Sequence, residues 1–162
     1  MYHNTRWQGC WVHKTANILD RLPKSLQVKA KDKLHQIWMA FDKAEAEKHF
    51  DDFISIYEDK NPKATECLEK DREVLLMFYD FPAEHRRHIR TTNPIESTFA
   101  TVRLRTAKVR NCFSSKTVVT MAFKLCQCTQ KRRQRLHSSK KLAEVIRGVI
   151  FVNGIEKNRI AA

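Results

Sequence analysis

The sequence predicts a mainly α-helical protein, and two observations carry that prediction. Gly occurs three times and Pro four times in 162 residues, which leaves little turn chemistry for a β-sandwich or a chain of hairpins. Apolar residues also recur at the three- and four-residue spacing of helices over much of the chain. Hydrophobic residues make up 42% of the chain and include three Trp and nine Phe, so we expect a packed core rather than disorder.

The predicted elements begin with one short strand at residues 9–13. No second strand in this chain is an obvious partner for it, so its backbone hydrogen-bonding groups would be left unpaired. Either a sheet partner lies outside this sequence or the segment is not a strand.

Three helices are predicted next, within residues 24–80. The first has an apolar stripe, and Asp42 with Glu45 reads as a capping box that starts the second. A third follows Pro62. The residues predicted to face inward are Leu34, Ile37, Trp38 and Phe41 in the first, Ala46, Phe50, Phe53, Ile54 and Tyr57 in the second, and Leu68, Val74, Leu75 and Phe78 in the third. Further helices are predicted at 94–109, 115–136 and 139–148.

Charge divides the chain into regions of opposite character. Residues 32–85 hold 14 Asp and Glu against seven Lys and Arg, whereas residues 86–162 hold 18 Lys and Arg against three Asp and Glu. With a pI near 9.8, the partner we expect is a polyanion, and nucleic acid is the commonest one.

Other classes of protein are disfavoured. No apolar run approaches the ~18 residues of a membrane span, and the first residues lack the apolar stretch of a secretory signal. Five Cys without a disulfide pattern indicate a reducing compartment. We therefore expect a soluble protein of the cytoplasm with no membrane partner.

The segment 91–96 opens the first basic helix and supports two interpretations. Asn93 at the N-cap, Pro94 at N1 and Glu96 at N3 suit a capped helix start, with Glu96 reaching back to the Asn93 N–H. Ile95, Phe99, Val102, Thr106 and Val109 follow as a predicted buried stripe. On the neighbouring face lie Glu96, Ala100, Arg103, Ala107 and Arg110, which suits either a nucleic-acid backbone with Glu96 on a divalent metal or plain solvated surface.

Cys10 and His13 have the C-x-x-H spacing of half a zinc site. A zinc site needs about four ligands, and the other candidates, Cys126 and Cys128, point apart on a helix. A packing role for Cys10 is therefore favoured over zinc.

The run Lys131-Arg132-Arg133-Gln134-Arg135 ends the second basic helix. Cations at a helix C-terminus favour the helix dipole, so a solvated helix end is the plain interpretation. Because Lys124, Lys131 and Arg135 share a face within a strongly basic half, phosphate contact is favoured.

Several motifs together resemble the Mutator-type transposases of bacterial insertion sequences. The matching segments are 10–14 (Cys-Trp-Val-His-Lys) with Asn17, 62–68 (Pro-Lys-Ala-Thr-Glu-Cys-Leu), 78–82 (Phe-Tyr-Asp-Phe-Pro), 91–96 (Thr-Thr-Asn-Pro-Ile-Glu) with Arg103 and Arg105, and 142–146 (Leu-Ala-Glu-Val-Ile). Their common order along nearly the whole chain makes the resemblance specific.

The resemblance implies an RNase H-like α/β catalytic domain with an all-helical insertion. In that family two Asp and one Glu hold two divalent ions, Mg²⁺ or Mn²⁺, for DNA strand cleavage and transfer. By matching position Glu96 is the final Glu and a metal ligand, and Cys10 with His13 is the C-x-x-H signature. The chain would then divide into the end of the sheet with the following helix (1–23), an acidic helical insertion (24–85) and a basic helical part (86–162).

One departure from the family pattern is decisive. No acidic residue of this sequence matches either Asp of the triad, so we expect the C-terminal part of a transposase with an incomplete active site, which does not cut DNA alone. Gly9, where relatives usually carry Arg, and the Arg86-Arg87 pair are lesser departures.

The resemblance also implies the partners, which are the DNA of the element ends and target and further copies of the same chain, in association with the nucleoid. The predicted DNA contacts are Arg86, Arg87, Arg90, Arg103, Arg105, Arg110, Lys131, Arg132, Arg133 and Arg135. Two alternatives stay open. One is a stand-alone basic helical module that binds nucleic acid or assembles with itself, and the other is an inhibitor that joins the oligomer of an intact transposase.

Overall fold

A computed structural model describes residues 6–108, 114–132 and 136–160. The prediction of a mainly helical chain is confirmed. The helices are α1 (Trp11–Leu19), α2 (Lys24–Met39), α3 (Lys43–Tyr57), α4 (Pro62–Glu69), α5 (Arg72–Leu76), α6 (Arg86–Ile89), α7 (Asn93–Lys108), α8 (Ser115–Arg132), α9 (Lys140–Ile146) and α10 (Lys157–Ile160). Short 3₁₀ turns lie at Met77–Asp80 and Ala83–His85, and two strands, β1 (Phe151–Val152) and β2 (Ile155–Glu156), form a hairpin. No described helix is long and apolar enough to cross a membrane.

The chain divides into two compact units. The first comprises Met1–Thr91 with His137–Ala162, and the second comprises Thr92–Leu136. The acidic helices 24–80 therefore share a unit with α1 and the C-terminal hairpin, although the charge of these segments differs widely.

The first unit encloses the core. Helix α2 packs against α3, and α1 packs against α2 and α4. The predicted inward residues Leu34, Ile37, Ala46, Phe50, Phe53, Tyr57, Leu68, Leu75 and Phe78 are buried, as are Trp11, Ile18 and Tyr79. Trp38, Ile54 and Val74 are only partly buried.

Phe41 was predicted to face inward, and that prediction is wrong, because its side chain is 83% exposed. Helix α2 ends at Met39 and the backbone of Ala40 is extended, so Phe41 leaves the helical face on which the spacing placed it. The capping box is present in its first half, where the Asp42 carboxylate accepts the Glu45 N–H at 2.8 Å. The Glu45 carboxylate accepts the N–H of Phe41, also at 2.8 Å.

The predicted strand at 9–13 is a helix start instead. Cys10 precedes α1, and Trp11 begins it with its side chain only 1% exposed. The Trp11 indole N–H donates to the carbonyl of Leu75 at 2.9 Å, and the Gly9 N–H donates to Val74 at 3.0 Å. The backbone N–H of Trp11 donates to the carbonyl of Arg90 at 3.0 Å, so the backbone donors of Gly9 and Trp11 are satisfied without a second strand.

The hairpin turn Asn153-Gly154 has two residues with positive φ, 51° and 86°. An Asn-Gly pair between apolar residues is the sequence signal for such a turn, and sequence reasoning did not use it. The Gly154 N–H donates to the carbonyl of Tyr79 at 3.1 Å, and the Gly154 carbonyl accepts the N–H of Ala83 at 3.2 Å. A Cβ on Gly154 would stand 2.6 Å from the Ala83 Cβ, so only glycine permits this close approach.

The second unit is built on the α7–α8 pair. Ile95 and Phe99 of the stripe predicted to be buried are 52% and 57% exposed, so that prediction is wrong for these two residues. Val102 and Thr106 are partly buried, and Val109 lies outside the described residues. One partner helix covers only part of an apolar stripe. Ile95, Phe99 and Phe123 consequently line an open groove of about 520 Å³.

Candidate functional site

Glu96 lies in the first turn of α7. The helix begins at Asn93, one residue before the predicted start, and the Thr92 carbonyl accepts the N–H groups of Ile95 and Glu96 at 2.9 and 3.0 Å. The Thr92 hydroxyl donates to Glu96 Oε1 at 2.6 Å. This bond fixes one oxygen of an exposed carboxylate at a helix start, where the dipole also favours negative charge.

Cys10 and His13 lie at the start of α1, in the other unit. Cys10 is partly buried directly before the helix, which agrees with a packing role, and His13 is exposed in the first turn. Within the described ranges there is no group of three or more His, Cys, Asp or Glu side chains that could hold a metal ion.

Glu96 suits a divalent metal as one ligand only. A carboxylate oxygen is the hard ligand that Mg²⁺ and Mn²⁺ prefer, and the exposed position leaves room for an ion. Two-metal chemistry needs further carboxylates, which the described residues do not bring to Glu96. No catalytic step can be derived from this carboxylate alone.

Two of the predicted DNA contacts, Arg86 and Arg90, hold the end of helix α2. Arg90 Nη1 donates to the Trp38 carbonyl and Arg86 Nη1 to the Phe41 carbonyl, both at 3.0 Å. The Tyr79 hydroxyl donates to the carbonyl of Ala40 at 2.9 Å. The last carbonyls of a helix lack intrahelical donors, and Arg90 and Tyr79 supply them at Trp38 and Ala40, whereas Arg86 holds the carbonyl of Phe41 just beyond the helix.

The same arginines also stack on aromatic rings. The Arg86 guanidinium lies 4.5 Å from the ring centre of Tyr79, and that of Arg90 lies 4.7 Å from the ring of Trp38. Burial lowers the pKa of Arg86 and of Arg90 and raises the pKa of Tyr79 to about 12. Arg86 Nε and Nη2 are buried without an acceptor among the described residues. Sequence reasoning assigned these arginines to DNA alone and did not anticipate this internal role.

A groove of about 650 Å³ opens at this place in the first unit. Arg86, Arg87 and Arg90 line it together with His137, and Trp38, Met39 and Phe41 supply its apolar surface. Arg87 is exposed. In the described parts of the chain these three arginines make no ion pair, whereas the carboxylate in the lining, Glu84, binds Lys141 Nζ at 2.7 Å. The Lys141 hydrogen bond lowers the pKa of Glu84, so the two charges offset each other.

Histidines hold the groove's other wall. His88 Nε2 accepts the backbone N–H of His137 at 3.2 Å, and the His85 ring bonds the Ser138 carbonyl at 3.2 Å. Burial lowers the pKa of His88, and the neighbouring side chains of Arg87, His85 and His137 lower it further. Neutral His88 is the form that can accept this bond. Sequence reasoning missed these histidines, because no local motif joins residues about fifty positions apart.

The remaining predicted DNA contacts lie in the second unit. Arg103 and Arg105 are exposed on α7, and Arg103 follows Glu96 by seven residues, so the two share a helical face. Lys131 is exposed near the end of α8, whose last residue is Arg132. Arg110, Arg133 and Arg135 lie outside the described residues.

Comparison with known proteins gives a consistent result. The family model "Transposase, Mutator family" matches residues 1–131. The transposase for insertion sequence element IST2 of Acidithiobacillus ferrooxidans is 53% identical over 157 residues, which are 97% of this chain and 53% of that relative. The transposase for insertion sequence element IS6120 of Mycolicibacterium smegmatis is 41% identical over 150 residues, 93% of this chain and 46% of the relative. The chain thus spans about half the length of these relatives, and it belongs to the Mutator family of transposases.

Proposed function

We propose that the chain serves DNA transposition by an insertion sequence, by binding DNA and by contributing Glu96 to a metal-dependent site for strand cleavage and transfer. The observation that carries the proposal is the exposed Glu96 carboxylate, held by Thr92 at the start of α7 within a segment that the Mutator family model matches. Relatives of about twice the length are named transposases for insertion sequence elements, which supports the same activity.

In this proposal Glu96 is one carboxylate ligand of Mg²⁺ or Mn²⁺, and further ligands come from segments outside this chain. The ions, when bound, activate a water or a 3′-hydroxyl and stabilise charge on the phosphoryl group. What Glu96 does is to offer an oxygen from a rigid helix start. The Thr92 hydroxyl limits the rotation of that carboxylate.

The proposal extends to the architecture around Glu96. We place α7 in an RNase H-like domain with residues 24–85 as its helical insertion, and we assign Cys10 and His13 to the C-x-x-H signature of the family by their position in the sequence. DNA runs along the basic half, with Arg103 on the Glu96 face and Lys131 at the end of α8. Self-association and work at the nucleoid belong to the same proposal.

The test uses a chimaera in which this chain replaces the matching 157 residues of the IST2 transposase. Its nicking of element-end DNA with Mg²⁺ or Mn²⁺ is measured beside DNA affinity. Glu96→Gln should abolish nicking and leave affinity within about twofold, because it removes a metal ligand and no phosphate contact. Glu144→Gln, which changes another carboxylate of the basic half, is the matched control and should keep activity.

Undiminished nicking by the Glu96→Gln chimaera contradicts the proposed role. The change would then cost only helix-start stability of about 0.5–2 kcal/mol, as for a lost cap, and would favour a nucleic-acid-binding module. The absence of three clustered metal-binding side chains in the described ranges is the observation that favours this second candidate.

A further inference from the structure

We infer that the groove of the first unit binds single-stranded DNA, with Phe41 stacking on an unpaired base and Arg87 contacting the adjacent phosphate. The inference rests on the proposed function only in taking DNA as the polymer. It does not involve Glu96 or any metal, and it assigns a second DNA surface to residues that lie in a different unit from α7.

The lining of the groove holds more positive than negative charge. Arg86, Arg87 and Arg90 line it and make no ion pair among the described residues, although the Asp42 carboxylate acts favourably on Arg86 at longer range. Arg86 and Arg90 are held by carbonyls and rings, so their charges are fixed in place. Arg87 is exposed and able to reach a ligand. Fixed positive charge beside an exposed guanidinium suits a phosphodiester backbone.

Phe41 is exposed on a backbone that is held by hydrogen bonds. Its ring is 83% exposed, yet its N–H donates to Glu45 Oε2 at 2.8 Å and its carbonyl accepts from Arg86 at 3.0 Å. A large apolar ring is thus displayed to solvent on a backbone that is bonded on both sides. Stacking on such a ring costs little additional ordering of the protein, which favours binding.

The apolar surface of the groove favours single-stranded over duplex DNA. Phe41 is accompanied by Met39, 51% exposed, and by half-buried Trp38, so the groove offers apolar surface beside its cations. Duplex DNA presents phosphates but keeps the faces of its bases inside the stack. Aromatic side chains beside a basic groove are the pattern of single-strand binding, where every unpaired base offers a π-face.

Hydrogen bonds hold the segments that line the groove. The Tyr79 hydroxyl donates to the carbonyl of Ala40, and Gly154 of the hairpin turn bonds the backbone of Tyr79 and of Ala83. Asn153 Oδ1 accepts the N–H of Lys43 at 2.9 Å and ties the turn to the start of α3. Hydrogen bonds from two side chains and from the backbone of Gly154 therefore connect the segments that line the groove.

The test measures fluorescence anisotropy of this chain with a short labelled single strand and with the same sequence as a duplex. Phe41→Ala should weaken single-strand binding about five- to a hundredfold, as for the loss of one base stack, and change duplex affinity by less than about twofold. Phe41→Trp, which keeps an aromatic ring at this position, should retain the single-strand affinity that Phe41→Ala loses. Arg87→Ala should weaken binding and reduce its salt dependence by about one phosphate contact.

Matched controls come from helix α2, outside the groove. Val28→Ala removes a side chain that is 71% exposed, and Lys29→Ala removes an exposed cation. Both should leave single-strand affinity within about twofold. Unchanged melting temperatures for all variants show that the fold is intact.

The outcomes separate this inference from the proposed function. Two outcomes overturn the inference but not the proposed function, provided that the chain still binds duplex DNA. In the first, Phe41→Ala leaves the affinity for the single strand unchanged. In the second, it weakens the affinities for single strand and duplex equally. If the chain binds neither the single strand nor the duplex, both the inference and the proposed DNA binding are overturned. A poly-glutamate chain that binds with the same Phe41 dependence also overturns the inference, because an acidic peptide would then be the ligand.

Discussion

The two units of this chain treat the same type of apolar side chain in opposite ways. Phe50 of α3 has no exposed surface, whereas Phe99 of α7 is 57% exposed, although each lies on a stripe of helical spacing. In the first unit, helices α1 to α4 surround the core and cover each stripe from several sides. In the second, α7 has α8 as its helical neighbour.

The difference shows that helical periodicity identifies the apolar face of a helix but does not show whether that face is buried. A stripe of apolar residues becomes core only where enough other elements close over it. The second unit accordingly displays Ile95, Phe99 and Phe123 as an open groove, and its stability should depend little on any one of them. The following predictions test this contrast.

The largest effect is expected for Phe50→Ala. The ring is fully buried and stacks with the Arg72 guanidinium at 4.7 Å, so its loss leaves a cavity. Unfolding free energy should fall by about 3–5 kcal/mol in chemical denaturation. Ile56→Ala on the same helix, 53% exposed, is the control and should stay within about 0.5 kcal/mol. Equal losses in both variants would contradict the described core.

Gly154→Ala should have the next largest effect. Both Gly154 and Gly148 have positive φ, 86° and 82°, so an Ala at either costs about 1–2 kcal/mol in backbone strain. A Cβ at Gly154 also meets the Ala83 backbone at 2.8 Å, whereas at Gly148 it meets nothing within 4 Å. We expect Gly154→Ala to lose about 1–3 kcal/mol more than Gly148→Ala. Thermal melts of both variants measure the difference, and equal losses would refute the close approach.

A smaller effect is expected from pH, through His88. Its folded pKa is lowered below 6.5, so the unfolded chain binds the proton more readily. The stability that His88 contributes is therefore present above pH 6.5 and is lost as pH falls towards the folded pKa. His88→Gln, which retains an acceptor, should flatten the decline. Denaturation curves on both sides of that pH measure it, and a decline that persists unchanged would assign it to another group.

The smallest effect is expected for Phe99→Ala. A side chain that is 57% exposed loses little burial on truncation, and the change should stay within about 0.5 kcal/mol. A loss approaching that of Phe50→Ala would mean that the α7 face is covered in solution. Sedimentation of this chain would then reveal whether a second copy covers it.

The candidate site was predictable in part. Glu96 was placed in the first turn of a helix because the signals of a helix start are adjacent in sequence, but the helix begins at Asn93, the predicted N-cap, and the carboxylate accepts the hydroxyl of Thr92. Phe41 was misassigned, since spacing alone does not show that α2 ends at Met39. The groove joins Trp38 and Phe41 to arginines about fifty residues later and to His137 beyond them, and no local pattern reports such contacts.

By itself the sequence determined the helical class, the capped start of α3, the helix start at Glu96 and the basic C-terminal half, because each depends on neighbouring residues or on composition. Tertiary structure decided that Trp11 starts a helix, since its hydrogen-bond partner is Leu75, 64 residues away. It also decided that Arg90 bonds a carbonyl at the end of α2 and Arg86 the carbonyl of Phe41 just beyond it, while Arg87 stays exposed. Which of the three arginines bonds a carbonyl depends on where residues 86–90 lie against the end of α2, and only the tertiary structure determines that.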